Sequence, residues 1–192
     1  MDMWEAFMKA VNKSLPDAKI VHDRFHVVAY LNKAVDQTRI KESREIGSHE
    51  WTDAKKSKWL FLKNPENLKT SEKERFDKAL AVAKKTAIVW ESKELFKNFW
   101  KQESKAKGKI FIEHWIADTR LKGLSAMIKV ADMLERKMEG LLNYFDHRIT
   151  NAIAENLNGK IQLIKSTCRG FRNFENYRTS ILFHLGGLNM FH

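Results

Sequence analysis

A mainly helical protein with one short strand is expected from this sequence, on three grounds. Helix breakers are scarce, with 2 prolines and 8 glycines among 192 residues. Lys, Glu, Ala and Leu, all good helix formers, are plentiful. Apolar side chains recur at helical spacing through most of the chain, and a single β-branched stretch reads as a strand.

Residues 3–14 form the first expected helix, with Trp4, Phe7, Met8 and Val11 at helical spacing. Pro16 ends it, because proline disfavours helix in the residue before it. Ala18–His22 is the expected strand, β-branched at Ile20 and Val21 and bounded by a turn. A second helix is expected from about Arg24 to Glu45, with Phe25, Val28, Leu31, Asn32 and Val35 along one side. Residues 46–123 read as helices joined by loops. Asn64-Pro-Glu-Asn-Leu68 is a turn, and Ser71-x-x-Glu74 has the form of a capping box. Phe76, Leu80, Val82 and Ala83 then supply one apolar face, and Trp90, Leu95, Phe96, Phe99 and Trp100 a second. Lys105–Lys109, with Gly108, breaks the pattern before Ile110 resumes it. Tryptophans 51, 59, 90, 100 and 115 belong to this region, and aromatics at helical spacing are most often core.

Residues 124–145 give another helix, burying Met127, Ile128, Ala131, Leu134, Met138, Leu141, Leu142 and Phe145. Thr150 or Asn151 can cap the next, since a side-chain oxygen satisfies a free N–H of the first turn. In that helix Ile153, Leu157, Ile161, Ile164 and Cys168 form the expected core stripe. The opposite face carries Asn151, Glu155, Asn158, Gln162 and Arg169. A lone glutamate on a polar face is usually just solvated. A last short helix is expected from Asn173 to about Phe183, before Gly186-Gly187 ends regular structure.

With 43% hydrophobic and 31% charged residues the chain is globular rather than disordered. A single cysteine, Cys168, excludes an internal disulfide and fits a reducing, cytoplasmic compartment; on the core stripe it reads as a buried, inert thiol. No apolar run approaches the ~20 residues that span a membrane. The net charge of +11 suggests a polyanionic partner, because each Lys or Arg set against a phosphate releases counterions; the alternative is a merely soluble basic protein. Lys160, Lys165, Arg169, Arg172 and Arg178 follow Glu155 within a short span, either as phosphate-positioning groups or as a solvated surface. Phe171, Phe174 and Tyr177 are expected to dock this tail on the core. His22 and His26 have the four-residue spacing of a zinc pair on a helix, but the strand expected to end at His22 weakens that geometry.

Several dense motifs resemble one known family. Toward the C-terminus they are Asn143-Tyr-Phe-Asp-His-Arg148, Asn151-Ala-x-x-Glu-x-Leu-Asn158, Lys160-Ile-Gln-x-Ile-Lys165 and Gly170-Phe-Arg-Asn-Phe-Glu-Asn-Tyr-Arg178. Earlier in the chain they are Asp2-x-x-x-x-Phe-x-x-Ala-Val11, Leu15-Pro-Asp-Ala-Lys-Ile-Val-x-Asp-Arg-Phe-His26, Leu31-Asn-Lys-Ala-Val-Asp36 and Trp59-Leu-Phe-Leu-Lys-Asn-Pro-Glu-Asn-Leu68. This set resembles the C-terminal part of the catalytic domain of ISL3-type bacterial transposases, which belong to the DDE group.

The resemblance implies a partial ribonuclease-H-like domain with one short strand retained and an all-helical insertion. Residues 1–45 would be the ribonuclease-H-like part, 46–123 the insertion, and 124–192 the helices that complete the domain. It implies Asp2 as the second and Glu155 as the third metal-binding acid, with Asp23 and His26 as site-supporting residues. The first aspartate is expected upstream of Met1, so that the chain is a truncated copy or an internal-start product. The implied cofactor is Mg²⁺ or Mn²⁺ in the intact enzyme, not stably bound by this chain. The implied partners are the DNA ends of an insertion element, and self-association or a full-length transposase. A non-catalytic DNA-binding protein and a helical interaction fragment that binds or inhibits the full-length enzyme are the alternatives.

Overall fold

The computed structural model describes residues 3–46, 57–148 and 152–187. The described chain is mainly helical, and no strand occurs among the described residues. It divides into two compact units, Met1–Ile149 and Thr150–His192.

In the first unit, α1 spans Glu5–Ser14 and α2 Arg24–Glu45. The α2 start is chemically marked, because the Asp23 carboxylate accepts from the Phe25 N–H at 3.1 Å. Helices α3 (Lys58–Leu62), α4 (Thr70–Val82) and α5 (Lys84–Phe96) follow. A 3-10 turn over Lys97–Lys101 leads to α6 (Lys105–Leu121). Then come α7 (Ser125–Arg136), α8 (Met138–Leu142) and α9 (Tyr144–His147). Helix α2 is the axis of the unit: α5 packs along one side of it and α7 along another, while α6 packs on both α5 and α7.

The core is aromatic at its centre. The rings of Phe96, Phe99, Trp100 and Trp115 meet one another edge-on or stacked, and the Trp115 indole N–H donates to the Ser92 carbonyl at 2.8 Å. Trp100 and Trp115 are buried as expected and Trp90 is half-buried, but Trp59 is 69% exposed, beside the Lys58 ammonium. Trp51 lies outside the described residues. On α2 the buried side is Val27, Leu31, Ala34 and Val35, while Phe25 faces solvent.

Residues 18–22 have no regular secondary structure and are not a strand, contrary to expectation. Among the described residues there is no strand for this segment to join. The segment is instead held by helices: the Asn143 side-chain amide donates to the Ile20 carbonyl, and the His22 N–H donates to the Gly140 carbonyl, both at 3.0 Å. A Cβ on Gly140 would stand 2.5 Å from the His22 ring, so glycine is what admits this buried imidazole. Gly108 likewise corrects the sequence reading. It lies inside α6 rather than breaking it, and a Cβ there would meet the Phe145 ring at 2.4 Å. The cap of α4 sits two residues earlier than expected: Glu72, not Glu74, accepts from the Lys69 N–H at 3.0 Å, and it also pairs with Lys63 at 2.7 Å. The helix expected over 124–145 is divided into α7, α8 and α9.

In the second unit, α10 (Ala152–Thr167) and α11 (Phe174–Leu185) pack as a hairpin. No described side chain of this unit is fully buried. Ile161 and Ile164 are half-buried, but Cys168 is exposed rather than part of a core stripe. Two helices cover only one strip of each other, too little to enclose the whole apolar face. Phe171 and Tyr177 pack ring to ring at 5.1 Å, whereas Phe174 is 71% exposed and does not dock. The expected caps Thr150 and Asn151 and the side chain of Ile153 lie outside the described residues.

Glu42, near the end of α2, is buried and caps α5. Its carboxylate accepts from the N–H groups of Lys85 and Thr86, each at 2.8 Å, and from the Thr86 hydroxyl at 2.6 Å. Ala83, at the helix's own N-cap, supplies no side-chain acceptor. Glu42→Ala is therefore expected to destabilise the protein by about 2–3 kcal/mol, the cost of leaving buried donors unsatisfied. Glu42→Gln, which keeps one acceptor oxygen, is expected to lose less; denaturant unfolding of both variants checks this.

Lys93 is also buried, donating to the Phe61 carbonyl at 2.8 Å, with a Glu94 oxygen 2.9 Å away. Burial pulls its pKa below the ordinary lysine value of 10.5, and Glu94 only partly opposes this. Below the lowered value both states are protonated and burial of the charge opposes folding. Between that value and 10.5 the unfolded chain holds the additional proton, so stability rises with pH. Thermal unfolding of wild type and Lys93→Met is expected to shift in favour of wild type as pH is raised from neutral toward 10.5.

Candidate nucleic-acid interface

The cations singled out after Glu155 all belong to the second unit. Helix α10 ends in a turn fixed by three backbone bonds: Cys168 N–H to Ile164 O (3.1 Å), Arg169 N–H to Ser166 O (3.0 Å) and Gly170 N–H to Lys165 O (2.9 Å). The last two are the pair that defines a Schellman ending, in which the residue after the C-cap is left-handed and is usually glycine. Here that residue is Arg169, with φ 52°, and Gly170 follows with φ 93°. A side chain in that region costs roughly 1 kcal/mol or more.

This turn brings two of the five cations together. Lys165 and Arg169 line a shallow, open concavity of about 340 Å³ with Gln162, Ser166 and Gly170. Lys160 and Arg172 are exposed but do not line it. Arg178, on α11, is engaged by Glu175 of the same helix at 3.3 Å. Gln162 and Ser166 were not singled out as ligands from sequence; their four-residue spacing, one behind Lys165 and the other just ahead of it, is the signal that could have found them. The concavity offers two mobile positive groups, an amide and a hydroxyl, which suits a phosphate oxygen better than a neutral ligand.

The expected acidic residues are distributed differently. Asp2 lies outside the described residues. Glu155 falls within α10, but its side chain lies outside the described residues. The Asp23 carboxylate is engaged at the start of α2, and His26 lies half-buried in the first turn, edge-on to Phe25 at 5.6 Å. His22 precedes α2, so the two histidines do not share a helical face. Among the described residues no three His, Cys, Asp or Glu side chains gather as metal ligands, so no step through a divalent ion is derived from them. Among the described residues no helix is long and apolar enough to cross a membrane.

Residues 1–181 match the sequence family of ISL3-type DDE transposases. The chain belongs to the ISL3 transposase family. It is similar to the transposase for insertion sequence element IS1001 of Bordetella parapertussis, with 28% identity over 178 residues. That alignment covers 91% of this chain and 44% of the relative, so this ISL3 transposase chain spans less than half of its relative's length. No solved structure matches it. The family match takes in α10, the left-handed turn and most of α11.

Replacing Arg169 separates its conformational cost from its charge. Arg169→Gly is expected to stabilise the hairpin turn by about 1 kcal/mol, because glycine enters the left-handed region without strain. If the concavity holds a DNA phosphate, the same change weakens that binding at low salt and lowers its salt dependence by about one phosphate's worth. Thermal unfolding and fluorescence anisotropy on one preparation measure both.

Proposed function

We propose that this chain is the C-terminal part of an ISL3 transposase catalytic domain and that it binds the DNA ends of an insertion element. The single observation that carries this reading is the family match over residues 1–181, which includes the Lys165–Arg169 concavity. In this reading residues 1–45 are what the chain contributes to a ribonuclease-H-like part, 46–123 are a helical insertion, and 124–192 complete the domain. Lys165 and Arg169 hold a phosphate of the bound strand, with Lys160, Arg172 and Arg178 contacting neighbouring phosphates. The contacts go to the backbone, so they fix position and carry no sequence information. A cytoplasmic location fits the reading.

Asp2 and Glu155 are the proposed acids of the cutting site, with Asp23 and His26 orienting the segment around them. When bound, two divalent ions, Mg²⁺ or Mn²⁺, stabilise the attacking and leaving oxygens of a phosphodiester. The carboxylates' role is to fix those charges against the DNA. The motifs supply two of the three acids of a DDE site, so this chain alone neither holds the ions stably nor cuts.

One observation favours a second role alongside DNA binding. The hairpin exposes large apolar side chains, with Leu163 64% and Phe183 57% exposed. That surface suits self-association or binding to a full-length transposase.

The test is cleavage of element-end DNA with Mg²⁺ or Mn²⁺ by three proteins. This chain alone is expected to be inactive, and a longer protein carrying the upstream segment is expected to cleave. Glu155→Gln in the longer protein is expected to abolish cleavage while leaving folding and DNA binding intact. Cleavage by this chain alone would refute the incomplete acid set, and an active Glu155→Gln enzyme would refute Glu155 as an acid.

A further inference from the structure

Cations also line a groove in the first unit, and none of the residues assigned to DNA or metal binding above is among its lining residues. Helices α2 and α7 run antiparallel there, with Lys41 near the start of α7 and Lys33 near its end. Two adjoining depressions, of about 540 and 290 Å³, share Gln37, Ala126 and Lys129 and so form one continuous trough. Its rims carry Lys33 and Lys41 on α2, and Lys129 and Arg136 on α7. All four are exposed, and none has an ion-pair partner among the described residues.

The acids near this trough are already committed. Glu42 is buried in the cap of α5, and Glu45 is held by Lys85 at 2.5 Å. The acids of α7, Asp132 and Glu135, are drawn toward α6 by Arg120, at 2.7 and 2.6 Å. The smaller depression has no acid in its lining. Asp17 and Glu139 line a neighbouring depression with Arg136, and Glu5 and Glu135, which also feel its charge, are each bonded to another cation, Lys137 and Arg120. The packing thus leaves four positive charges lining one trough, while the nearest acids make their ion pairs or hydrogen bonds with other groups.

We propose that the trough between α2 and α7 is a second DNA-binding surface, which takes the phosphodiester backbone of one strand. This rests on the DNA-binding reading and extends it to the other compact unit. Lys33 and Lys41 stand about 12 Å apart along their helix. A strand advances about 3.4 Å per phosphate, so each rim accompanies three to four phosphates. The smaller depression is lined largely by Ala34, Ala126, Val130 and Met133, and the uncharged polar side chains along the trough, Gln37, Thr38 and Ser125, are few beside its cations. A concave trough with cations on its rims fits a polyanionic rod better than a flat anionic membrane.

The experiment measures binding of a short duplex of arbitrary sequence to the full chain by fluorescence anisotropy across a salt series. The test variant is Lys33→Gln/Lys41→Gln/Lys129→Gln/Arg136→Gln. It is expected to bind about 100-fold more weakly at low salt, with the slope of log affinity against log salt reduced by about 3 to 4. A control variant, Lys69→Gln/Lys73→Gln/Arg75→Gln/Lys78→Gln, removes the same charge from exposed positions on and beside α4 and is expected to change the slope by less than one. A third, Lys33→Arg/Lys41→Arg/Lys129→Arg, keeps the charges and is expected to bind as wild type does, which separates charge from folding. Wild-type binding that the trough variant leaves unchanged, or that the control weakens equally, overturns the trough and leaves the DNA reading intact. Failure of the wild-type chain to bind overturns both. Trough-dependent binding to anionic lipid vesicles, with no effect on DNA, overturns the assignment of the partner.

Discussion

The first unit depends on a buried carboxylate reaching from one helix to start another. Glu42 stands near the end of α2, and the helix it caps begins 42 residues later at Lys84. A helix start leaves several N–H groups without partners, and burying them without acceptors is costly. α5 cannot supply its own acceptor, because Ala83 has none and the first turn is Lys84-Lys85-Thr86. The cap therefore fixes where α5 begins relative to α2. That register sets which rings of α5 enter the core, and through them where the α6 tryptophan Trp115 seats against Ser92. It also withdraws one negative charge from the surface beside Lys41.

Charge is sorted by the same packing. Arg120 gathers Asp132 and Glu135, Lys105 takes Asp146, and Lys63 takes Glu72. Exposed pairs such as these contribute little to stability singly. Their larger effect is on the surface potential, because each acid engaged on one flank leaves the cations of the opposite flank unbalanced. A net charge of +11 becomes directional in this way. The field that meets an approaching polyanion is set by which acids are already engaged, not by composition alone.

Much of the helical architecture could be read from residue pattern. α2 was expected from Arg24 to Glu45 and runs over those residues, because Asp23 marks its start and a long apolar period follows. The misreadings share a cause: local chemistry was compatible with two outcomes and a distant residue decided. Ile20 and Val21 favour an extended backbone, but only a second strand makes that a sheet, and Asn143 and Gly140 are the partners instead. Gly108 has the chemistry of a breaker until Phe145 arrives against it. Cys168 shares a stripe with Ile161 and Ile164, yet a stripe is buried only where another element covers it. In the candidate site, the sequence placed the cations close together along the chain. It did not show that a left-handed Arg169 turns toward Lys165, since that conformation is a property of the helix ending. The acids of the DDE pattern came from motif resemblance, and no physical feature of composition or spacing would have selected them.

The fastenings of the N-terminal segment set an order of events on the ribosome. Glu5 and Ile20 are held by Lys137 and Asn143, which lie 132 and 123 positions further along. At about 5–20 residues per second, those partners emerge roughly 6 to 25 seconds after the segment they hold. Until then α1 and the irregular stretch after it lack these two bonds, although α2 can already coil by itself. The α10–α11 hairpin, in contrast, joins neighbours in sequence and can close within microseconds of its synthesis. The earlier-made segment is thus the one that must wait for a later arrival, leaving Met3, which is buried in the folded chain, available to holding chaperones during the interval.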